Sequence, residues 1–260
     1  QGVMQLTIAE LRKCGEQEIE LGDFLPAAPL SVKDMFKELK LIVGSIRDKY
    51  LKELLKLFFE DEEFVRLFKL APAAKAFHHV YLGGLLEHSL SMARLARMVS
   101  ENYDNINRDL LLTGAILHDI GKVYELSFRK VFDYTDIGRL VGHITIGVEM
   151  VEKKIDSIPD FPSSLRMLLK HMILSHHGEY IYGSPKRPKT LEALMLYYID
   201  DLDAKANGFQ QFVAKASDSQ SNWSGYHKLF DRYLFKKTYT SNETPDEMLT
   251  DDGSQENGER

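Results

Sequence analysis

Five stretches of helical periodicity in this chain each carry a histidine or an aspartate on the stripe that has to face inward. Residues three, four and seven apart share one face of a helix. His88 lies three residues after Leu85 and four before Met92. His118 is seven after Leu111, and Asp119 is four after Ala115. His143 shares a face with Leu140 and Gly147. His176 is four after Met172 and His177 four after Ile173, while Asp200 is three after Tyr197 and seven after Ala193. Carboxylates are rarely buried unless paired or bound to a metal ion.

Each of these residues alone has a plain explanation. A single inward histidine is usually bonded to a backbone carbonyl, and Asp200, with Asp201 and Asp203 beside it, reads as a salt-bridge partner. His118-Asp119 is more specific, because a helix C-terminus disfavours an anion. A carboxylate there needs a counter-charge, which a metal ion supplies. His176-His177 at another helix end poses the same question. Taken jointly, the set points to a metal centre more than to core packing.

The rest of the sequence is expected to build helices around these groups. Ser31 and Asp34 read as an N-cap pair opening a helix, or two in succession, to about Glu60. Asp61 caps a shorter helix that ends before Pro72. Further helices are expected from Gly84, from Asn107 to the stop at Gly121, from Thr135 or Asp136 through about Ile155, from Pro162 to His177, and from Thr190 to Gly208. Residues 123–134 admit a short hairpin. The aromatic stretch Trp223, Tyr226, Phe230, Tyr233, Phe235 is expected to form an amphipathic helix, packed on the core or on a second copy of the chain in a homo-oligomer. The class is all-α, a helical bundle with a metal site at its centre.

Residues 1–30 read as an extended arm or interdomain linker, 31–240 as the helical domain, and 241–260 as a disordered acidic tail. Seven of the 39 acidic residues and one of the 33 basic ones fall in that tail, so it carries the whole formal charge of −6. The body is balanced and neither attracts nor repels a polyanion as a whole. A single cysteine, Cys14, excludes a disulfide framework and fits cytoplasmic residence. No signal peptide and no membrane span are visible.

His118-Asp119-Ile120-Gly121-Lys122 resembles the defining motif of the HD superfamily of metal-dependent phosphohydrolases. Gly84-Leu85-Leu86-Glu87-His88, Gly142-His143, Leu174-Ser175-His176-His177-Gly178 and Tyr198-Ile199-Asp200-Asp201-Leu202-Asp203-Ala204 stand around it in the order of the dinuclear branch. The resemblance covers roughly residues 75–208 and implies an HD-domain helical bundle. It implies that His88, His118, Asp119 and Asp200 hold one divalent metal ion. His143, His176 and His177 would hold a second, with Asp119 bridging. Imidazole and carboxylate ligands without thiolate suit Mn²⁺ or Fe²⁺, with Zn²⁺ as a further option. Metal-activated hydroxide would attack phosphorus, and Lys122 would act with Asp119 as a catalytic residue by supporting the developing charge. Asp203 reads either as a carboxylate orienting a ligand histidine or as a helix-face charge paired with Lys205 or Arg139.

Several segments narrow the resemblance to the YhaM-type 3′–5′ exoribonucleases: Gly83 to Ser89, Asn107 to Leu111, Gly183-Ser184-Pro185-Lys186, Asp203-Ala204-Lys205, and Glu18 to Pro26 in the arm. That family joins an N-terminal oligonucleotide-binding barrel to its HD domain. The barrel is missing from this sequence, so grip on long RNA is expected to be weakened. The substrate implied is single-stranded RNA, or alternatively a nucleotide or cyclic dinucleotide. A non-catalytic metal-binding module is the remaining reading. In the loop after His177, Tyr180 and Tyr182 are placed to stack on bases, and Lys186, Arg187 and Lys189 to take backbone phosphates. An ordinary solvated surface loop explains the same residues.

Overall fold

The computed structural model describes residues 30–75, 79–128, 131–216 and 221–237, together with Glu10, Arg12, Leu25, Pro26 and Ala28. The acidic tail and most of the proposed arm lie outside the described residues.

Capping side chains start most of the helices where the sequence places them. Ser31 Oγ accepts from Asp34 N at the start of α1 (Val32–Gly44). Asp48 caps α2 (Lys49–Phe59), which resolves the stretch up to Glu60 into two helices. Asp61 caps α3 (Glu62–Leu70) and Asn107 caps α5 (Arg108–Leu117), each accepting a backbone N–H three residues on. Between them, α4 (Gly84–Asn102) is the central helix. It packs against α1, α3, α5 and the long α10 (Leu191–Lys215). On the far side of α5 lies α9 (Ser163–Ser175), which pairs with α8 (His143–Ile155). The apolar core runs through all of these, with Leu39, Leu54, Phe68, Leu85, Leu86, Leu111, Ile116, Met172 and Leu196 buried within it. In the arm, Ala28 N donates to Leu82 O and Pro26 O accepts from Leu82 N, which ties the chain onto the entry to α4.

A short helix, α6 (Lys122–Glu125), follows α5 after one turn. The expected hairpin is present as β1 (Leu126–Ser127) antiparallel to β2 (Asp133–Tyr134). The expected single helix from Thr135 to Ile155 is two, α7 (Asp136–Leu140) and α8, broken where Gly142 adopts φ 77°. The break puts His143 at the first position of a new helix.

Two further expectations are corrected. Gly208 does not stop α10, which continues to Lys215. Phe209 and Phe212 beyond it pack edge-on against Phe230 and His227, at centroid distances of 5.8 and 4.3 Å, and this contact outweighs the helix cost of one glycine. The aromatic stretch after it is a hairpin, not an amphipathic helix. β3 (Trp223–His227) pairs antiparallel with β4 (Arg232–Phe235). Trp223 faces Phe235 and Tyr226 faces Tyr233, with ring centroids 5.2 and 5.5 Å apart. Such aromatic pairs stabilise strands, and Asp231 takes the turn at φ 54°.

Candidate metal centre

The five helical stretches converge. α4 supplies His88, the end of α5 supplies His118 and Asp119, α8 opens with His143, α9 ends into His176 and His177, and α10 supplies Asp200. His88, His118, Asp119 and His176 are almost fully buried. Gly121 permits the approach of α8, since a Cβ at that position would lie 2.0 Å from His143 O.

All five histidines are oriented in one way. His118 Nδ1 donates to Ala115 O at 2.9 Å, and His176 Nδ1 to Ile173 O at 2.8 Å. His177 Nδ1 donates to Tyr182 O at 3.0 Å. His88 Nδ1 bonds Asp203 Oδ2 at 2.7 Å, and His143 Nδ1 bonds Glu125 Oε1 at 2.9 Å. Carbonyl and carboxylate oxygens carry no proton to give, so Nδ1 carries a proton in each ring. Every Nε2 is thereby left to the interior, the arrangement in which an outer hydrogen bond fixes the tautomer of a metal-ligating histidine.

These inward atoms form two lobes on either side of Asp119. Around Oδ2, His88 Nε2 lies at 3.5 Å and His118 Nε2 at 3.4 Å. The two nitrogens are 3.2 Å apart, and Asp200 Oδ1 is 3.3 Å from His88 Nε2 and 3.8 Å from His118 Nε2. Around Oδ1, His143 Nε2 lies at 3.4 Å and His176 Nε2 at 3.6 Å. Ligand atoms of His143, His176 and His177 all fall within 4.8 Å of one another, as do those of His88, His118 and Asp119. Donors about 2.0–2.2 Å from a shared ion, at angles near 90–110°, stand roughly 3–3.6 Å apart. Most of the spacings have that size.

Three buried polar atoms of this centre have no hydrogen-bond partner among the described residues: Asp119 Oδ1, His143 Nε2 and His176 Nε2. With the protons on Nδ1, all three are acceptors pointing at one another. A buried cluster of acceptors with no donor is costly, and a cation satisfies all of them together. The residues therefore fit a divalent ion.

The charges are held by their neighbours. Burial works against ionised Asp119, but Lys122 and His118 outweigh it and keep the carboxyl well below its usual range. Lys122 Nζ sits 2.5 Å from Asp119 Oδ2, and that partner raises the lysine's pKa against the effect of burial. Burial opposes the charge of His88 too, yet its bonds to Asp200 and Asp203 push it up to about 10. His177 goes the other way. Burial and then His176 lower it to about 4, which leaves its imidazole neutral at pH 7.

Two carboxylates around the centre hold histidines rather than facing the interior. Asp203 bonds His88, receives Ser91 Oγ, and lies 3.3 Å from His79 Nε2. That settles the sequence alternative in favour of orientation over pairing with Lys205 or Arg139. Glu125, on α6, was not singled out from the sequence. Its Oε1 accepts both the backbone N–H and Nδ1–H of His143, each at 2.9 Å. It stands eighteen residues from its partner, with no spacing signal to reveal it.

The predicted substrate loop is only partly at the centre. A cavity of about 220 Å³ opens over it, lined by Lys122, His176, His177, Tyr182, Tyr197, Asp200, Asp201 and Ala204. Tyr180, Lys186, Arg187 and Lys189 do not line it. They are exposed on the outer face of the loop, where Arg187 pairs with Glu179 at 2.8 Å. Larger cavities of about 410 and 560 Å³ lie elsewhere, one behind Asp203 and one between α3 and α6.

A helical bundle that gathers these histidines and aspartates from five helices is of the HD class, and the family model described as "HD domain" matches residues 85–205. The chain belongs to the YhaM 3′–5′ exoribonuclease family. It is 38% identical over 239 residues to the 3′–5′ exoribonuclease YhaM of Bacillus subtilis (strain 168), covering 92% of this chain and 75% of that one. With the 3′–5′ exoribonuclease YhaM of Geobacillus sp. (strain WCH70) it shares 35% over 241 residues, covering 92% and 73%. No solved structure matches the chain. Among the described residues no helix is long and apolar enough to cross a membrane.

Proposed function

We propose that this chain is a metal-dependent phosphodiesterase that removes nucleotides from the 3′ end of single-stranded RNA. The convergence of Asp119 Oδ1, His143 Nε2 and His176 Nε2 as buried acceptors without a donor carries the metal part of this reading. The family carries the substrate and the direction of digestion. His88, His118, Asp119 and Asp200 are assigned to one divalent ion, and His143, His176 and His177 to a second, with one oxygen of Asp119 turned to each lobe. Mn²⁺ or Fe²⁺ suits these ligands, with Zn²⁺ a further option. Divalent metal bound there would supply an activated water and positive charge beside the attacked phosphate.

The protein's own groups do the rest. Asp203 and Glu125 hold the rings of His88 and His143. Lys122 lines the cavity, and its ammonium is placed to support negative charge gathering on the phosphate. Tyr182 and Tyr197 offer ring faces to a base at the same opening. Tyr180, Lys186, Arg187 and Lys189 form an outer track for the strand that trails from the cavity. Cytoplasmic residence, expected from the single cysteine, agrees with an RNA substrate.

The test is digestion of 3′- and 5′-end-labelled single-stranded RNA with Mn²⁺, beside mononucleotides and cyclic dinucleotides, with Asp119→Ala as control. Stepwise shortening from the 3′ end by the wild type alone is expected. Inert RNA with a cleaved small nucleotide would replace the reading with a nucleotide phosphohydrolase. No turnover of any substrate would favour a non-catalytic metal-binding module.

A further inference from the structure

We propose that Asp201 reads the free 3′-hydroxyl of the terminal nucleotide, and that the cavity over the metal centre is a pocket for that one nucleotide. The inference rests on the exoribonuclease reading and deepens it. It begins with size. A cavity of about 220 Å³ is below the range of roughly 300–1,000 Å³ usual for drug-sized ligands. That is a space on the scale of one nucleoside.

The walls are held in place. Gly178 follows His177 at φ +75°, and a Cβ there would lie 2.3 Å from the Tyr197 ring. Only a glycine leaves space for that ring against the loop. Tyr182 is fixed through its carbonyl, which accepts from His177 Nδ1. Tyr182 and Tyr197 border an opening that His176, His177, Asp200 and Lys122 also line.

Asp201 is the remaining ionisable group in the lining. It follows Asp200 on α10, so the two carboxylates leave neighbouring backbone positions about 100° apart around the helix. Asp200 is directed to His88, while Asp201 borders the same cavity at a different angle. Lys205 Nζ holds Asp201 Oδ2 at 2.7 Å, and no described residue occupies Oδ1. A carboxylate oxygen accepts from a hydroxyl and repels a phosphate. In the proposed arrangement the scissile phosphate lies over the ligand cluster and the base beside Tyr182 and Tyr197, which leaves the 3′ substituent of the ribose for Asp201. A free 3′-hydroxyl is accepted there, and a 3′-phosphate or a continuing strand is refused.

The experiment compares 5′-labelled single-stranded RNA ending in a 3′-hydroxyl with the same RNA ending in a 3′-phosphate, using the full chain with Mn²⁺. Wild type is expected to favour the 3′-hydroxyl end by at least about tenfold in kcat/KM. In Asp201→Asn, which keeps an acceptor and removes the charge, the preference is expected to fall severalfold. Asp201→Ala should lose it through weaker turnover of the 3′-hydroxyl RNA. Because the preference is a ratio within each protein, loss of folded material cancels. Binding of both RNAs by fluorescence anisotropy, without divalent metal, should show the same order. A wild-type preference near one, or an undiminished preference in Asp201→Asn, would overturn the inference while the exoribonuclease reading stands. Failure of the wild type to shorten either RNA would overturn both.

Discussion

Replacing Glu125 with alanine should weaken metal binding at the lobe of His143 and leave the lobe of His88 nearly as tight. The carboxylate is buried, and a single oxygen receives two N–H groups of His143 at 2.9 Å each. A hydrogen bond to a charged group contributes about 1.5–3 kcal/mol. The backbone bond serves as the N-terminal cap of α8, so its loss falls on stability. At about 0.5–2 kcal/mol for a cap and roughly 2–4 °C per kcal/mol for a domain of this size, the melting temperature should drop about 1–8 °C. The bond to Nδ1 fixes the ring. Losing about 1.5–3 kcal/mol there lowers affinity at the His143, His176 and His177 lobe by roughly 10- to 150-fold, in line with the loss of other outer-shell partners of metal ligands. Glu125→Gln keeps an acceptor without its charge and should cost less, about threefold to tenfold. The assay is competition for Mn²⁺ or Zn²⁺ against a chromogenic chelator, with circular dichroism to follow the fold. Undiminished metal affinity in Glu125→Ala would refute the reasoning.

Asp119→Ala removes the carboxylate between the two lobes and should cut hydrolysis by at least about a thousandfold, while the circular dichroism spectrum stays helical. Gly121→Ala drives a Cβ into His143 O. The forced shift of α8 should cost about 1–3 kcal/mol and lower the melting temperature by roughly 2–12 °C, measured by calorimetry. With His88 raised to about 10 in the metal-free protein, an ion bound at its Nε2 must displace a proton at neutral pH. Affinity there should rise with pH below 10, and titration calorimetry in buffers of different ionisation enthalpy should register the released proton. In the metal-free protein, the lowered pKa of His177 acts on stability with the opposite sign to that of His88. Its contribution is complete above the ordinary histidine value of about 6.5 and is lost as the pH falls toward 4. His177→Gln should flatten acid unfolding curves over that window.

Local sequence sufficed for the helices around the metal centre and for the identity of the inward groups. Both are local. A cap such as Asp61 or Asn107 acts on N–H groups within three residues, and a helix face is set by a spacing of three, four and seven. His88, His118, Asp119, His143, His176, His177 and Asp200 were legible for that reason, and the HD motif added how they combine. What the tertiary structure decided is every relation between distant segments. It paired Glu125 with His143 and Asp203 with His88 at separations of 18 and 115 residues, and it brought Tyr197 against Gly178 to shape the cavity. It also carried α10 past Gly208 and folded the stretch from Trp223 to Phe235 into a hairpin, where aromatic contacts across the chain outweighed local helix pattern. Hydrogen bonds and ring contacts between segments depend on where the backbone returns, and a spacing along the chain does not encode that return.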